Sequence, residues 1–348
     1  MIHCQNIKNL KNHLCNIAGD ICLRNFESAL FMPRYNKKWL LFIIISLSVI
    51  IGYLYVFIPD SVTLKSNINI KATRQGVYRM LLNEESLNKW WPGNVNKASA
   101  KNIFLLGGYS YKIGNNNISL LPVTITGNRS QLNTSLYLIP LQRNVVLLQW
   151  IGESSTSYNP FKRFLAFREA KKINRDMDTI LQKMGSFLSQ PKNIYEHEVH
   201  HLLIVDSTFI STIDTISSYP STAFIYNRVN KLRSYANAHS VMISGYPMLN
   251  VDALDSIHYI VRVAVPLPKS LPSSGDIYEK RMPVNVNILM MEIKGGANTV
   301  SNAFEQMLKY VSDHHQTIPG IPFYSLVTDR SREPDTSKWV TRIYCPVR

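Results

Sequence analysis

His258–Pro266 reads HYIVRVAVP, and Trp339–Pro346 reads WVTRIYCP. Both alternate in the two-residue period of a half-buried strand, and both stop at a proline. Working outward from each, the same order of elements recurs. Before the first stand a strand pattern at His201–Thr215, a helix pattern at Ser221–Ala238 and a strand pattern at Val241–Met248. Before the second stand a strand at Asn285–Lys294, a helix at Val300–His314 and a strand at Phe323–Thr328. Four elements in one order, twice, predict a duplicated strand–helix–strand–strand domain over residues 199–348.

Upstream, Ser61–Ile70 alternates like a strand, and Thr73–Leu87 places Val77, Met80 and Leu81 on one helical face. That helix pattern ends at Trp90-Trp91-Pro92-Gly93, where proline and glycine stop it. Strand-like runs follow at Ile103–Ile113, Ile118–Thr126, Leu132–Leu138 and Val145–Ile151, with turn residues between them. A long helix from Pro160 to Leu188 closes the region, with Ile173, Met177, Ile180, Met184 and Phe187 at helical spacing. Its other face carries Lys162, Arg163, Arg168, Lys171, Lys172, Arg175 and Lys183 and reads as solvated, or as drawn to an anionic membrane surface. Gln190–Glu198 has the polar, helix-breaking character of a linker between domains at 61–190 and 199–348.

Trp39–Ile58 reads WLLFIIISLSVIIGYLYVFI, uncharged and as long as the roughly 20 residues a bilayer requires. It lacks the polar stripe of a core helix. No small-x-small site follows it, so an uncleaved anchor is expected rather than a signal peptide. Arg34, Lys37 and Lys38 precede the span and Pro59-Asp60 follow it. That asymmetry predicts a cytoplasmic N-terminus, with the folded mass on the extracytoplasmic side. Residues 1–38 read as a cytoplasmic tail. Met32 begins a conventional short basic region, so the residues before it are read either as tail or as a mis-called start.

The formal charge of +15 calls for nucleic acid, an anionic surface or solubility as its reason. Lys and Arg are scattered, no helix-turn-helix is visible, and an anchored extracytoplasmic domain could not reach DNA; nucleic acid is therefore excluded as a partner. Cys4, Cys15 and Cys22 precede the span and Cys345 alone follows it, so the folded part cannot close an internal disulfide.

Strand, short helices ending in Asn88-Lys89-Trp90-Trp91-Pro92, antiparallel strands and a long helix resemble the START-like polyketide cyclase superfamily across residues 61–190. The resemblance implies a helix-grip fold whose sheet wraps the long helix around an apolar cavity. Met291-Glu292-Ile293-Lys294-Gly295-Gly296, the Asn302–Tyr310 helix, Pro322-Phe323-Tyr324, Glu333-Pro334 and Thr341–Val347 are similar to the GyrI-like family, the bacterial transcription activator effector-binding domain. That resemblance implies two repeats about a pseudo-twofold, with a cleft that takes small molecules, often hydrophobic cations. The cleft would be lined by Tyr226, Tyr246, Glu292, Phe323 and Tyr324. Arg342 stands where many members carry a glutamate, and Gly296-Ala297-Asn298 replaces a usual aromatic, so the sequence departs from the pattern at two points that bear on cation binding and on hydrolase activity. Arg342 is expected either to leave Glu292 free or to pair with it and cancel the site.

Motifs for catalysis are weak. His197-Glu198-Val199-His200-His201 matches H-E-x-x-H, but it leads into a strand, where positions four apart lie about 13 Å from one another. Asp313-His314-His315 reads as a helix end, where histidine meets the negative pole of the dipole. There is no G-x-S-x-G, P-loop or dinucleotide fingerprint, and Gly295-Gly296 alone is a turn signal. The expectation is an α+β, membrane-tethered module that binds or senses a hydrophobic small molecule beside the lipid bilayer, with no catalytic residue, metal or cofactor. The alternative is a hydrolase or cyclase acting in one of the two clefts.

Overall fold

The computed structural model of the protein describes residues 37–93, 103–127, 130–205 and 208–348. The tail through residue 36, with Met32, Arg34, Cys4, Cys15 and Cys22, lies outside these residues. Helix α1 (Lys37–Phe57) has 21 residues and so extends about 31 Å at ~1.5 Å per residue. Most of its side chains are unburied. It is the one helix long and apolar enough to cross a membrane among the described residues.

Among the described residues, those from Lys37 to Val62 and Ser155–Glu169 form one compact unit, and those of Thr63–Ser154 with Ala170–Arg348 form a second. In the first unit Arg163 is buried, not on a solvated face as its place among the basic residues suggests. Its Nε donates to the Ile58 carbonyl at 2.9 Å, and its guanidinium pairs with Asp60 at 2.8 Å and lies over the Tyr55 ring. A carbonyl orphaned at the end of α1 thereby gains a charged donor.

Strand β1 (Ser61–Ile70) leads into α2 (Arg74–Leu82), capped by the Thr73 hydroxyl, and α3 (Glu84–Trp90), capped by Asn83. Five strands follow: β2 (Ile103–Leu106), β3 (Tyr109–Ile113), β4 (Leu120–Thr126), β5 (Gln131–Gln142) and β6 (Val145–Ser155). The single run expected at 103–113 is two strands, because Gly107 and Gly108 take positive φ and turn the chain. The sheet order is β1-β6-β5-β4-β3-β2. Helix α4 (Pro160–Leu188) buries Ile173, Met177, Ile180 and Met184, and Lys65 donates its backbone N–H to Asn174 at 2.9 Å. Trp91, Phe104, Tyr111 and Trp150 occupy the sheet's interior as a chain of ring contacts with centroids 5.0–6.1 Å apart.

Helix α5 (Pro191–Tyr195) lies where a linker is expected, with Ile194 and Tyr195 buried. The second sheet is built from β7 (His200–Leu203), β8 (Thr208–Ile216), β9 (Met248–Ala253), β10 (Tyr259–Pro266), β11 (Tyr278–Arg281), β12 (Asn287–Lys294), β13 (Phe323–Leu326) and β14 (Val340–Pro346). Helices α6 (Thr222–Ala238) and α7 (Ala297–Asp313) follow β8 and β12 respectively. The strand order is β11-β8-β10-β9-β13-β14-β12-β7, with antiparallel pairs throughout. The strand expected at Val241–Met248 instead begins at Met248, because Pro247 cannot donate to a ladder. The described residues thus make an α+β protein with seven α-helices and two antiparallel sheets.

Candidate functional site

Alternation sorts the eight-stranded sheet into two faces. On one, Ile210, Leu249, Val261, Val263 and Leu326 pack with Val229 and Leu232 of α6 into a buried cluster. His201 shares that face with its cross-strand partner Leu289, and its Nε2 meets the Tyr310 hydroxyl of α7 at 2.8 Å. Cys345 is buried on the same side, and burial pushes its thiol up to about 11.

The other face is open and carries a cavity of about 800 Å³. Phe209, Ile213, Met248, Ile321, Phe323 and Val347 supply its apolar wall. Arg262 projects there because Val261 and Val263 on either side point to the helices. Its Nη1 donates to Asn250 Oδ1 at 2.7 Å and to Asp252 Oδ2 at 2.5 Å, while Asn250 Nδ2 donates to the Pro322 carbonyl at 3.1 Å. Lys280, Arg281 and Arg348 also line the cavity. The space is large enough for a drug-sized ligand, and two of its polar groups, Asn250 and Arg262, are held in place by hydrogen bonds.

Of the six residues singled out in the sequence, Phe323 lines this cavity. Phe323 and Tyr324 are adjacent in β13 and so point to opposite faces. Tyr324 lies on the helix side, its ring 6.0 Å from Phe304, with burial pushing the phenol up to about 12. Tyr226 is buried in α6; its hydroxyl donates to the Thr328 carbonyl at 3.1 Å and accepts from the Arg330 amide at 2.8 Å. Glu292 and Arg342 are cross-strand partners on the open face and pair at 2.8 Å, with Arg342 above the Tyr246 ring. Glu292 lies five residues from the lining residue Asn287, about 17 Å along β12 at ~3.4 Å per residue. The cavity residues Arg262, Asn250, Met248 and Lys280 were not anticipated. The alternation of HYIVRVAVP carried the signal for Arg262; no signal marked the others.

A second polar group ties α2, α5 and α7 together. Buried Asp313 accepts from Arg79 at 2.6 and 3.2 Å and from the Tyr195 hydroxyl at 2.9 Å. Thr73, Tyr195, Tyr310 and His314 line a smaller space of about 270 Å³ beside it. Burial lowers the pKa of His314 below its usual 6.5, and His201 and His315 nearby lower it further, against a rise from the Tyr310 carbonyl and Asp313.

No family model and no curated protein matches the sequence. Among solved structures, the EcmrR C-terminal domain is 15% identical over 44% of this chain and 98% of that one, with a TM-score of 0.36. The EcmrR–DNA complex is 17% identical over 55% and 72%, with a TM-score of 0.38. SAV2435 bound to tetraphenylphosphonium is 14% identical over 43% and 94%, with a TM-score of 0.31.

The exclusion of nucleic acid as a partner does not stand; one of these solved structures is a complex with DNA. That exclusion rested on a topology inferred from three basic residues, on the lack of a charge block and on the lack of a visible helix-turn-helix. A net charge of +15 attracts a polyanion without any such block.

Proposed function

We propose that this chain is a membrane-tethered receptor for a hydrophobic small molecule, held on the open face of the eight-stranded sheet. The observation that carries the reading is the 800 Å³ cavity with its largely apolar wall. The strand order supports a duplicated effector-binding arrangement over residues 199–348: β8-β10-β9 meets β13-β14-β12 at the centre, first, third and second strand of each half in mirrored sequence. The order of elements over residues 61–190 supports a START-like domain, here with aromatic rings in its interior. The exposed apolar α1 supports the tether, and Lys38 in its first turn with Asp60 after it supports a cytoplasmic N-terminus.

The test uses the full chain in lipid nanodiscs and Nile red, a neutral apolar dye, with empty nanodiscs subtracted. Saturable binding is expected, together with its loss in Ala264→Phe, which fills the cavity from β10. Binding unchanged in that variant would place the dye elsewhere and sink the reading.

A further inference from the structure

Charge on the cavity wall narrows the class of ligand. Arg262, Lys280, Arg281 and Arg348 are the charged side chains that line it; no aspartate or glutamate does so among the described residues. Two carboxylates stand next to the lining residues. Asp252 holds Arg262 at 2.5 Å, and Glu279 holds Arg281 at 3.2 Å while it also accepts from Ser270. Lys280 has no ion-pair partner among the described residues. The wall therefore keeps an excess of positive charge. Arg262 commits Nη1 to Asn250 and Asp252, which orients the guanidinium and leaves Nε and Nη2 without a bond among the described residues. A fixed guanidinium with spare donors suits a carboxylate or phosphate.

Glu292, the acid that would favour a cation, is held by Arg342 at 2.8 Å and does not line the cavity. A cationic ligand would thus face like charge, and the acids nearest to it, Asp252 and Glu279, are already paired with Arg262 and Arg281. A neutral one would leave Lys280 without a counter-charge beside an apolar wall.

We propose that the cavity takes an anionic amphiphile: an apolar chain lying on Phe209, Met248 and Phe323, closed by a carboxylate or phosphate head at Arg262 and Lys280. This rests on the binding reading above and is tested so that the two can fail separately. Four ten-carbon chains compete with Nile red on the full chain in nanodiscs, with empty nanodiscs as background: decanoate, decyl phosphate, decanol and decyltrimethylammonium. At least one anionic chain is expected to bind tenfold or more tightly than decanol, and its advantage should shrink as salt screens the head. Lys280→Gln and Arg262→Met should each bring the affinity of that anionic chain down most of the way to that of decanol measured on the same variant. Lys280 is exposed, so its variant folds even if Arg262→Met does not. Which of decanoate and decyl phosphate binds more tightly separates a carboxylate source from a phosphate one, and either supports the proposal. If Nile red shows no saturable binding, the binding reading fails; if it binds but no chain competes, the anionic-amphiphile proposal alone fails. If decanol or decyltrimethylammonium matches the anions, or if both variants keep the full anionic preference, the cavity binds but the proposed head site is wrong.

Discussion

Asp313 shows what a single position can hide from its neighbours in sequence. It ends α7 beside two histidines, and local reading sees only a helix terminus and its dipole. Its partners Arg79 and Tyr195 stand 234 and 118 residues away, so no spacing rule could have paired them. Asp313→Ala leaves the Tyr195 hydroxyl and part of Arg79 without an acceptor. Because Arg79 is 37% exposed, water recovers part of the loss, and a cost of about 1–3 kcal/mol is expected in urea unfolding. Tyr195→Phe, which removes that donor and the 3.4 Å contact of its hydroxyl with Thr73 Oγ1, should cost about 1 kcal/mol. Equal stability of Asp313→Ala and wild type would show the network to be decoration. His314 makes a pH prediction from the same neighbourhood. Its folded pKa lies below the unfolded value of about 6.5, so below that pH the unfolded chain binds the extra proton. Stability should therefore rise with pH across the window from the lowered value to about 6.5, and His314 should contribute no pH dependence above it. In thermal melts from about pH 5 to about pH 7.5, His314→Asn should flatten the acid side of the profile. A profile identical to wild type would assign the acid dependence to other groups.

At the scale of elements, long periodic segments were legible and short ones were not. The run of Ile173, Met177, Ile180 and Met184 gave α4 its buried face, and HYIVRVAVP gave β10 its bounds. Val241–Met248 was misread because its apolar residues outweighed Pro247. Pro191 was misread in the opposite sense. Taken as a helix breaker, it sits at the first turn of α5, where its missing N–H costs nothing. The candidate site was harder still, since alternation says which residues share a face but not which face lies open. Tyr226 and Tyr324 drew notice as aromatics and serve the core. The contact of α4 with β1 passes through Gly185, where an added Cβ would stand 2.5 Å from Ile68 Cδ1. Two effects compete in Gly185→Ala: a helix-propensity gain of about 1 kcal/mol, and displacement of a terminal methyl that can rotate. The variant should stay within about 1 kcal/mol of wild type. Gly185→Leu cannot be accommodated this way and should lose about 1–3 kcal/mol. In Ile68→Val, which lacks the obstructing methyl, Gly185→Ala should become stabilising. A double-mutant cycle with no coupling between the two positions would mean that α4 and β1 are not in contact here.

For the whole molecule, the proposed tether is a quantitative claim about α1. The Trp39–Ile58 stretch holds 14 Leu, Ile, Val and Phe residues. At about 0.3–0.6 kcal/mol each near the centre of a span, they favour insertion by about 4–8 kcal/mol. One lysine at the centre costs about 2.5–3.5 kcal/mol and also removes an apolar contribution, which the remaining residues can offset. Two lysines cost about 5–7 kcal/mol, close to the whole driving force. Leu47→Lys alone should therefore leave the chain in the membrane fraction after alkaline carbonate extraction. Leu47→Lys with Ile50→Lys should move it to the soluble or aggregated fraction. Both positions are exposed and belong to the unit that holds α1, so the second unit has no reason to lose its fold. Circular dichroism and the Nile red titration on the released protein check that point. The gradation between one charge and two carries the test. A chain released by carbonate without any substitution is not spanning a bilayer. A doubly charged variant that remains fully embedded shows that attachment resides somewhere other than α1.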